Sequence, residues 1–164
     1  LSSAASDVYK RQPFNNQGLP HRPVIWVEDG VLRNLTYSRY WAKTKSREAL
    51  ARPRSWLLEG KGNATSLADM IASAERAILI TRLHYIRTVD PRQLLVTGLT
   101  RDGMFLVENG TIIKPLRNFR FNESPIEVLQ HADQFSEPQI IGSGVAVPAL
   151  SVRKFRFTSV SDAI

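Results

Sequence analysis

The chain has 164 residues, of which 43% are hydrophobic, so its length and composition fit one globular domain or a domain with a tail. It contains no cysteine, which excludes disulfides and thiolate chemistry, and no apolar run approaches the roughly 20 residues that a membrane span requires. The formal net charge is +7, with basic and acidic residues interspersed rather than grouped in blocks. These features predict a cytoplasmic protein that does not enter a membrane.

The first twelve residues, LSSAASDVYKRQ, show no apolar periodicity and do not continue into the pattern that follows. We interpret residues 1–12 as a non-native leader and exclude them from the fold. The true N-terminus is then expected to lie upstream, so that residues 13–164 are a fragment of a larger protein.

Two β-hairpins are predicted, one around Asp29-Gly30 and one around Asn109-Gly110. Both dipeptides readily adopt the positive φ angles that a tight type I′ turn requires. The flanking segments that we expect to be strands are Val24–Glu28 and Val31–Tyr37 for the first hairpin, and Met104–Glu108 and Thr111–Pro115 for the second.

Two short helices are predicted to begin at serines. Ser66 is followed by Asp69, and Ser124 is followed by proline and then by Glu127. Both are capping-box patterns, in which the serine caps the first turn and the acid reaches back to the serine. The second helix is expected to end near His131, whereas the polar stretch 38–49 is ambiguous.

The remaining segments are predicted to be mainly strands. Ala77–Val89 and Leu94–Leu99 are rich in apolar residues, and residues 100–103 (TRDG), which follow the second of them, are interpreted as a turn. Near the C-terminus, apolar residues change phase at Lys154, which predicts a β-bulge. The predicted class is α+β and β-dominated: a mainly antiparallel sheet with hairpins and two short helices.

No metal-binding or catalytic motif is recognisable in the sequence. His21, His84 and His131 are each isolated, and no pair has the spacing that places two imidazoles on one helix face. His84, between Leu83 and Tyr85, is interpreted as a packed histidine rather than a ligand. We therefore assign no catalytic residue, no metal ligand and no cofactor to this chain.

Two polar groups are candidates for contact with a substrate or for lining a cavity. In residues 100–103, Asp102 can hold its neighbour Arg101 close to a cavity, although the simpler interpretation is a turn. Arg120, Asn122 and Glu123 alternate with phenylalanines, as expected for a strand with one solvated face. The functional alternative is peptide capture, because arginine can hold a carboxylate through two parallel hydrogen bonds and an open strand edge can pair with a peptide.

Five segments, in order, make the sequence resemble the TldD/PmbA family: VEDGVLRNLTYSRYWA, SLADMI, ITRLHYIRTVDPRQLLVTGLTRDGMFLVENG, NFRFNES and VPALSVRKFRFTSVSDAI. The resemblance extends from about Gly18 to Ile164, and residues 97–124 form its signature block. It implies the β-rich C-terminal region of a two-lobed bacterial or archaeal protein.

The resemblance also implies a role in proteolysis. One branch of this family carries an HExxxH zinc helix with a C-terminal cysteine near the metal, and cleaves flexible peptides bound as an added strand in a closed cavity. The sister branch lacks the metal motif and pairs with the first in a dimer. This sequence contains no HExxxH and no cysteine, including between Gln134 and Val147, where the cysteine would be expected. It therefore resembles the metal-free, PmbA-like branch more closely.

From the resemblance we expect a fragment that forms the cavity wall and the dimer interface of a peptide-processing complex. The expected partners are a family subunit, in a homodimer or heterodimer, and a flexible peptide substrate. Zinc is expected only in the intact protein. The alternative is that the intact protein is itself a zinc metallopeptidase with HExxxH in the missing part, so whether it is an enzyme stays open.

A second alternative is a basic nucleic-acid-binding module, suggested by the net charge of +7. Because the basic residues are scattered, we expect duplex DNA to bind only non-specifically, with a dissociation constant of roughly 10⁻⁴–10⁻⁶ M near physiological salt. A fluorescence titration with two duplexes of different sequence measures this. Nanomolar, sequence-selective binding would favour the nucleic-acid alternative.

Overall fold

A computed structural model describes residues 13–142 and 144–161, so the leader predicted at residues 1–12 lies outside the described residues. These residues form two compact units: the first extends to Leu57 and includes Ile140–Ala146, and the second comprises Leu58–Gln139 and Val147 onward. The elements in chain order are β1 (Val27–Glu28), β2 (Val31–Leu32), α1 (Arg39–Lys45), β3 (Trp56–Leu57), α2 (Leu67–Ala72), β4 (Arg76–Asp90), β5 (Leu95–Glu108), β6 (Thr111–Pro115), β7 (Phe119–Glu123), α3 (Pro125–Gln130), β8 (Ala132–Phe135), β9 (Gln139–Ile140), β10 (Val145–Val147), β11 (Leu150–Val152) and β12 (Phe157–Val160).

The first unit contains the predicted hairpin around Asp29-Gly30. Both turn residues have positive φ angles, +50° and +76°, which confirms the turn, although β1 and β2 are shorter than predicted. In the same unit, β3 pairs in parallel with β10 through Val145 and Ala146.

Helix α1 lies in the stretch 38–49 that the sequence left ambiguous. Ser38 caps it by accepting a hydrogen bond from the backbone N–H of Trp41, and Ser46 ends it with a left-handed φ of +50°. Ala42 is its one buried residue. A helix with one buried residue shows no repeat of apolar residues along its sequence. Periodicity alone therefore could not identify it.

The second unit is built on a five-stranded antiparallel sheet. Its strand order is β12-β7-β5-β4, and β6 also pairs with β5. Strands β8 and β11 form a separate antiparallel pair. The described part of the chain therefore confirms the β-dominated α+β class, with three short helices instead of the two predicted.

Strand β5 runs without interruption through residues 100–103, so the turn predicted there is wrong. Instead, Asp102 and Gly103 stand opposite the single residue Thr81, which makes a β-bulge. Asp102 has a φ of +69°. The preference of Asp-Gly for positive φ is therefore satisfied inside a strand, because a bulge needs the same backbone conformation as a tight turn.

A second bulge, on β4, places Tyr85 and Ile86 opposite Gly98. Tyr85 has a φ of +55°. Gly98 pairs with Phe121 of β7, and a Cβ atom at position 98 would lie 2.5 Å from Cζ of that ring. Glycine is therefore required at position 98 so that the phenyl ring can lie against the backbone of β5.

The core of the second unit contains a chain of aromatic rings. The ring centroids of Phe119 and Phe157 are 5.1 Å apart, those of Phe157 and Phe155 are 5.1 Å apart, and those of Phe155 and Phe121 are 5.3 Å apart. These separations are within the favourable range for aromatic pairs. Phe121 is only 2% exposed, so it is among the most buried side chains of the sheet.

The β-bulge predicted at Lys154 is wrong. Residues 153–156 form no strand, and they connect β11, which pairs with β8, to β12, which pairs with β7. The change of apolar phase in the sequence therefore reflects a move of the chain from one sheet to another.

The two predicted helix starts have different outcomes. Ser66 caps α2, with its Oγ accepting a hydrogen bond from the backbone N–H of Asp69 at 3.1 Å, as predicted. Ser124 makes no side-chain cap on α3, and its hydroxyl is instead directed to the backbone carbonyl of Gln93, to which it donates a hydrogen bond. No helix among the described residues has the length and apolar character needed to cross a bilayer.

Candidate functional site

One face of the five-stranded sheet carries most of its exposed positive charge. Arg82 on β4 pairs directly with Arg101 on β5, and Leu99 of β5 pairs with His84 on one side and Arg120 on the other. Directly paired residues of antiparallel strands share a face. One row further along, Thr97 pairs with Arg87 and Asn122. We call this surface the arginine face, and its cations are Arg82, Arg87, Arg101 and Arg120.

Asp102 supplies a carboxylate at the edge of the arginine face. Its Oδ2 accepts a hydrogen bond from Nη1 of Arg82 at 2.8 Å, and its Oδ1 lies 3.8 Å from Nε of Arg101. The hydrogen bond from Arg82, aided by the charges of Arg82, Arg101 and His84, holds the pKa of Asp102 below its ordinary value of 3.8. The Asp102 carboxyl is therefore ionised at neutral pH.

The bulge in β5 makes this arrangement possible. Two arginines placed directly opposite each other on neighbouring strands repel one another. The left-handed φ of +69° at Asp102 brings its carboxylate to both of them. The group Arg82–Asp102–Arg101 nevertheless retains one more positive charge than negative.

A recess of about 390 Å³ lies beside Arg101 and Asp102. Strand β5 changes partner here, from β7 at Leu99 to β6 at Phe105, so the sheet opens between the two strands. The recess has a charged rim and a largely apolar wall, whose other residues are Gly103, Met104, Phe105, Pro115, Leu116 and Asn118. Cationic and apolar side chains therefore lie side by side at this recess.

The five residues singled out from the sequence divide between the two faces of the sheet. Arg101, Asp102, Arg120 and Asn122 lie on or at the edge of the arginine face. Within the described residues, Oδ1 of Asn122 is buried and has no hydrogen-bond partner.

Glu123 lies on the opposite face from Asn122 and is 4% exposed. Its carboxylate accepts hydrogen bonds from the backbone N–H groups of Ser124 at 3.1 Å and Arg156 at 2.8 Å. In this position Glu123 holds the end of β7 to the segment that leads into β12.

Arg82 and His84 were not among the sequence candidates. Their alternating spacing in ITRLHYIR indicates that they share one face of a strand. Whether this face adjoins Arg101 and Arg120 depends on strand register, which here pairs residues 15 to 21 positions apart. Register over such separations has no local sequence signature.

The described residues do not fit a zinc ion. Within residues 13–142 and 144–161, no group of three or more histidine, cysteine, aspartate or glutamate side chains could hold a metal. We therefore derive no metal-dependent step from this part of the chain.

Comparison with known proteins identifies similar domains. The family model described as PmbA/TldA metallopeptidase C-terminal domain matches residues 4–159. A comparison with curated proteins finds no match.

Three solved structures share the fold. TldE from Thermococcus kodakarensis is 21% identical, with a TM-score of 0.67 over 92% of this chain and 36% of the other. A proposed modulator of DNA gyrase from Thermotoga maritima is 14% identical, with a TM-score of 0.73 over 91% of this chain and 36% of the other. One from Bacteroides thetaiotaomicron is 21% identical, with a TM-score of 0.74 over 91% of this chain and 33% of the other. The chain thus spans about a third of the length of these structures.

Proposed function

Because the chain belongs to the TldD/PmbA metallopeptidase family, whose C-terminal domain it carries, we propose that it forms part of the substrate cavity and of the dimer interface in a peptide-processing complex. The observation that carries this proposal is the match of residues 4–159 to that domain. Two features of the second unit support it, one for each role.

The first feature is the recess beside Arg101 and Asp102. Its volume of about 390 Å³ is within the usual size of ligand pockets. Phe105, Pro115 and Leu116 supply apolar surface, and Arg101 and Asp102 supply polar groups at the rim. A peptide requires this combination, because its backbone and its side chains need both kinds of contact.

The second feature is the free edge of β4. This 15-residue strand is the last strand of the sheet, so within the described residues it has a neighbouring strand on one side only. Tyr85, Ile86 and Val89 on it are 59%, 53% and 53% exposed. A long edge strand with exposed apolar side chains favours pairing with another chain or segment, which would cover them.

In this proposal the metal belongs outside the present domain, either on a second family subunit or on another part of the same protein. This chain spans about a third of the length of the solved structures, so a metal-binding helix can lie in the part that has no counterpart here. The first arrangement corresponds to a metal-free subunit, and the second to an intact zinc metallopeptidase.

We expect the chain of residues 1–164 alone neither to bind stoichiometric zinc nor to cleave peptides. The reason is that its described residues present no set of metal ligands and the whole sequence contains no cysteine. Metal analysis of the purified chain and hydrolysis of casein with and without a chelator measure both properties. Adding a family subunit that carries HExxxH is expected to give a complex in sedimentation velocity and chelator-sensitive hydrolysis.

The control for this experiment is the HExxxH subunit by itself. A mixture that hydrolyses casein no faster than this subunit, and sediments as two separate species, would contradict the proposed role in a dimer. Zinc binding and hydrolysis by the chain alone would contradict the assignment of the metal to another part. Reading the gene upstream of this sequence separates the two arrangements by the presence or absence of HExxxH.

A further inference from the structure

The arginine face has more hydrogen-bond donors than the described residues satisfy. Among those residues, the guanidinium of Arg101 makes no hydrogen bond, because Asp102 Oδ1 is 3.8 Å away, and that of Arg120 has no acidic partner. The Arg101 side chain is 43% exposed. Arginine has five N–H donors and binds carboxylates through two parallel hydrogen bonds.

Asp102 forms a close ion pair with only one arginine of the arginine face. Its short contact, at 2.8 Å, is to Arg82, so Arg82 is held in place while Arg101 remains available. Arg120 lies diagonally across from Arg101, since it pairs with Leu99 two residues earlier on β5. Long side chains at diagonal positions of neighbouring strands can reach each other, so both guanidinium groups can approach one anion.

The apolar wall of the recess favours a peptide over other anionic ligands. Phe105, Pro115 and Leu116 line the same recess of about 390 Å³ as Arg101. A peptide presents a carboxylate on the same short segment as apolar side chains. A nucleic-acid backbone presents phosphates at regular intervals and would need a basic surface along its length.

We propose that this recess recognises a carboxylate of a peptide through Arg101, which lies at its rim, with Arg120 on the neighbouring strand as a second donor. In this proposal Asp102, whose Oδ1 lies 3.8 Å from Nε of Arg101, competes with the peptide for Arg101. The inference rests on the proposed peptide-processing role and adds a substrate class, namely peptides with a carboxylate beside an apolar residue. The carboxylate comes from an acidic side chain or from a free C-terminus.

Fluorescence anisotropy with three labelled ten-residue peptides tests this proposal. The first contains one Glu-Leu pair and an amidated C-terminus, the second has Gln-Leu and an amidated C-terminus, and the third has Gln-Leu and a free C-terminus. Tighter binding of the first than the second by about tenfold or more indicates a side-chain carboxylate, since a hydrogen bond to a charged group accounts for such a factor. The same preference for the third over the second indicates a terminal carboxylate. Equal binding of all three would overturn the proposal.

Two substitutions with opposite expected effects sharpen the test. Arg101→Gln is expected to weaken the preferred peptide about 10- to 100-fold. Asp102→Asn is expected to tighten it several-fold, because asparagine tolerates the φ of +69° while losing the competing charge. Arg76→Gln is the matched control, since Arg76 is on β4, is 76% exposed and pairs with Glu108 away from the recess. If Arg101→Gln behaves like Arg76→Gln, or if Asp102→Asn weakens binding, the proposal is wrong.

Further measurements separate folding and charge from recognition. Arg101→Lys keeps the charge but loses the paired hydrogen bonds, so its affinity should fall between those of the wild type and Arg101→Gln. Thermal unfolding of each variant verifies that the sheet is intact. If a ten-residue thymidine oligonucleotide displaces the peptide at equal concentration, the face is a general polyanion site and the proposal fails.

The inference and the proposed function can fail separately. Hydrolysis by the assembled complex without any preference for the acidic peptide would leave the role in peptide processing and remove the carboxylate site. Selective binding of the acidic peptide by a protein that never supports hydrolysis would support the carboxylate site and contradict the role in peptide processing.

Discussion

Replacing Phe121 with alanine is expected to lower the free energy of unfolding by about 3–5 kcal/mol, the range for a buried aromatic side chain truncated in a core. Phe121 is 2% exposed, and its ring lies against the backbone of Gly98 on the neighbouring strand and 5.3 Å from the ring of Phe155. No side chain at position 98 can fill the space that the ring leaves. Urea denaturation followed by circular dichroism measures the change.

The control for Phe121→Ala is Ile113→Ala on β6 of the same sheet. Ile113 is 52% exposed, so this substitution should cost less than about 1 kcal/mol. Phe121→Leu should lie between the two, because leucine retains part of the buried volume. Equal losses for Phe121→Ala and Ile113→Ala would show that the ring is not part of the core.

Replacing Glu123 with alanine is expected to destabilise the protein by about 2–6 kcal/mol, since each of the two backbone donors left unsatisfied costs about 1–3 kcal/mol. The two donors are the N–H groups of Ser124 and Arg156, and Glu123 is 4% exposed. The substitution should also loosen the segment that joins β11 to β12. Urea denaturation gives the energy, and hydrogen exchange of the Arg156 amide gives the local effect.

Two variants control for the chemistry of Glu123. Glu123→Gln keeps one acceptor oxygen and should lose about half as much stability as Glu123→Ala. Glu127→Ala removes an exposed carboxylate that pairs with Arg156 at 3.3 Å, and this pair should contribute about 0–1 kcal/mol. If Glu123→Ala destabilises no more than Glu127→Ala, the role of Glu123 as a structural acceptor is contradicted.

Local features were predicted well where the residues themselves require one backbone conformation. Asp29-Gly30 and Asn109-Gly110 both adopt the positive φ angles of a tight turn, with +49° and +75° at the second pair. Gly110 is also held by its surroundings, because a Cβ there would lie 2.5 Å from the carbonyl oxygen of Ala72. The conformation of such a turn depends on four consecutive residues, so it can be predicted from the sequence without knowing the fold.

Local features were predicted poorly where tertiary structure offers a competing partner. Ser124 has a more complete capping pattern than Ser66, yet only Ser66 caps its helix. The backbone carbonyl of Gln93, 31 positions earlier, accepts a hydrogen bond from the hydroxyl of Ser124. A capping box describes the donors and acceptors within one turn and contains no information on those that folding brings from elsewhere.

Sequence patterns were sufficient to predict the β-dominated class, the positions of both hairpins, the strand β4 to within a few residues, and the family resemblance that the comparisons support. Each of these depends on periodicity, turn residues or ordered motifs, which are local properties of the chain. Strand pairing was needed to show that Arg82, His84, Arg101 and Arg120 lie on one face and that Glu123 lies on the other. These placements depend on register and on the bulges at Asp102 and Tyr85, because a shift of one residue moves every side chain of a strand to the opposite face.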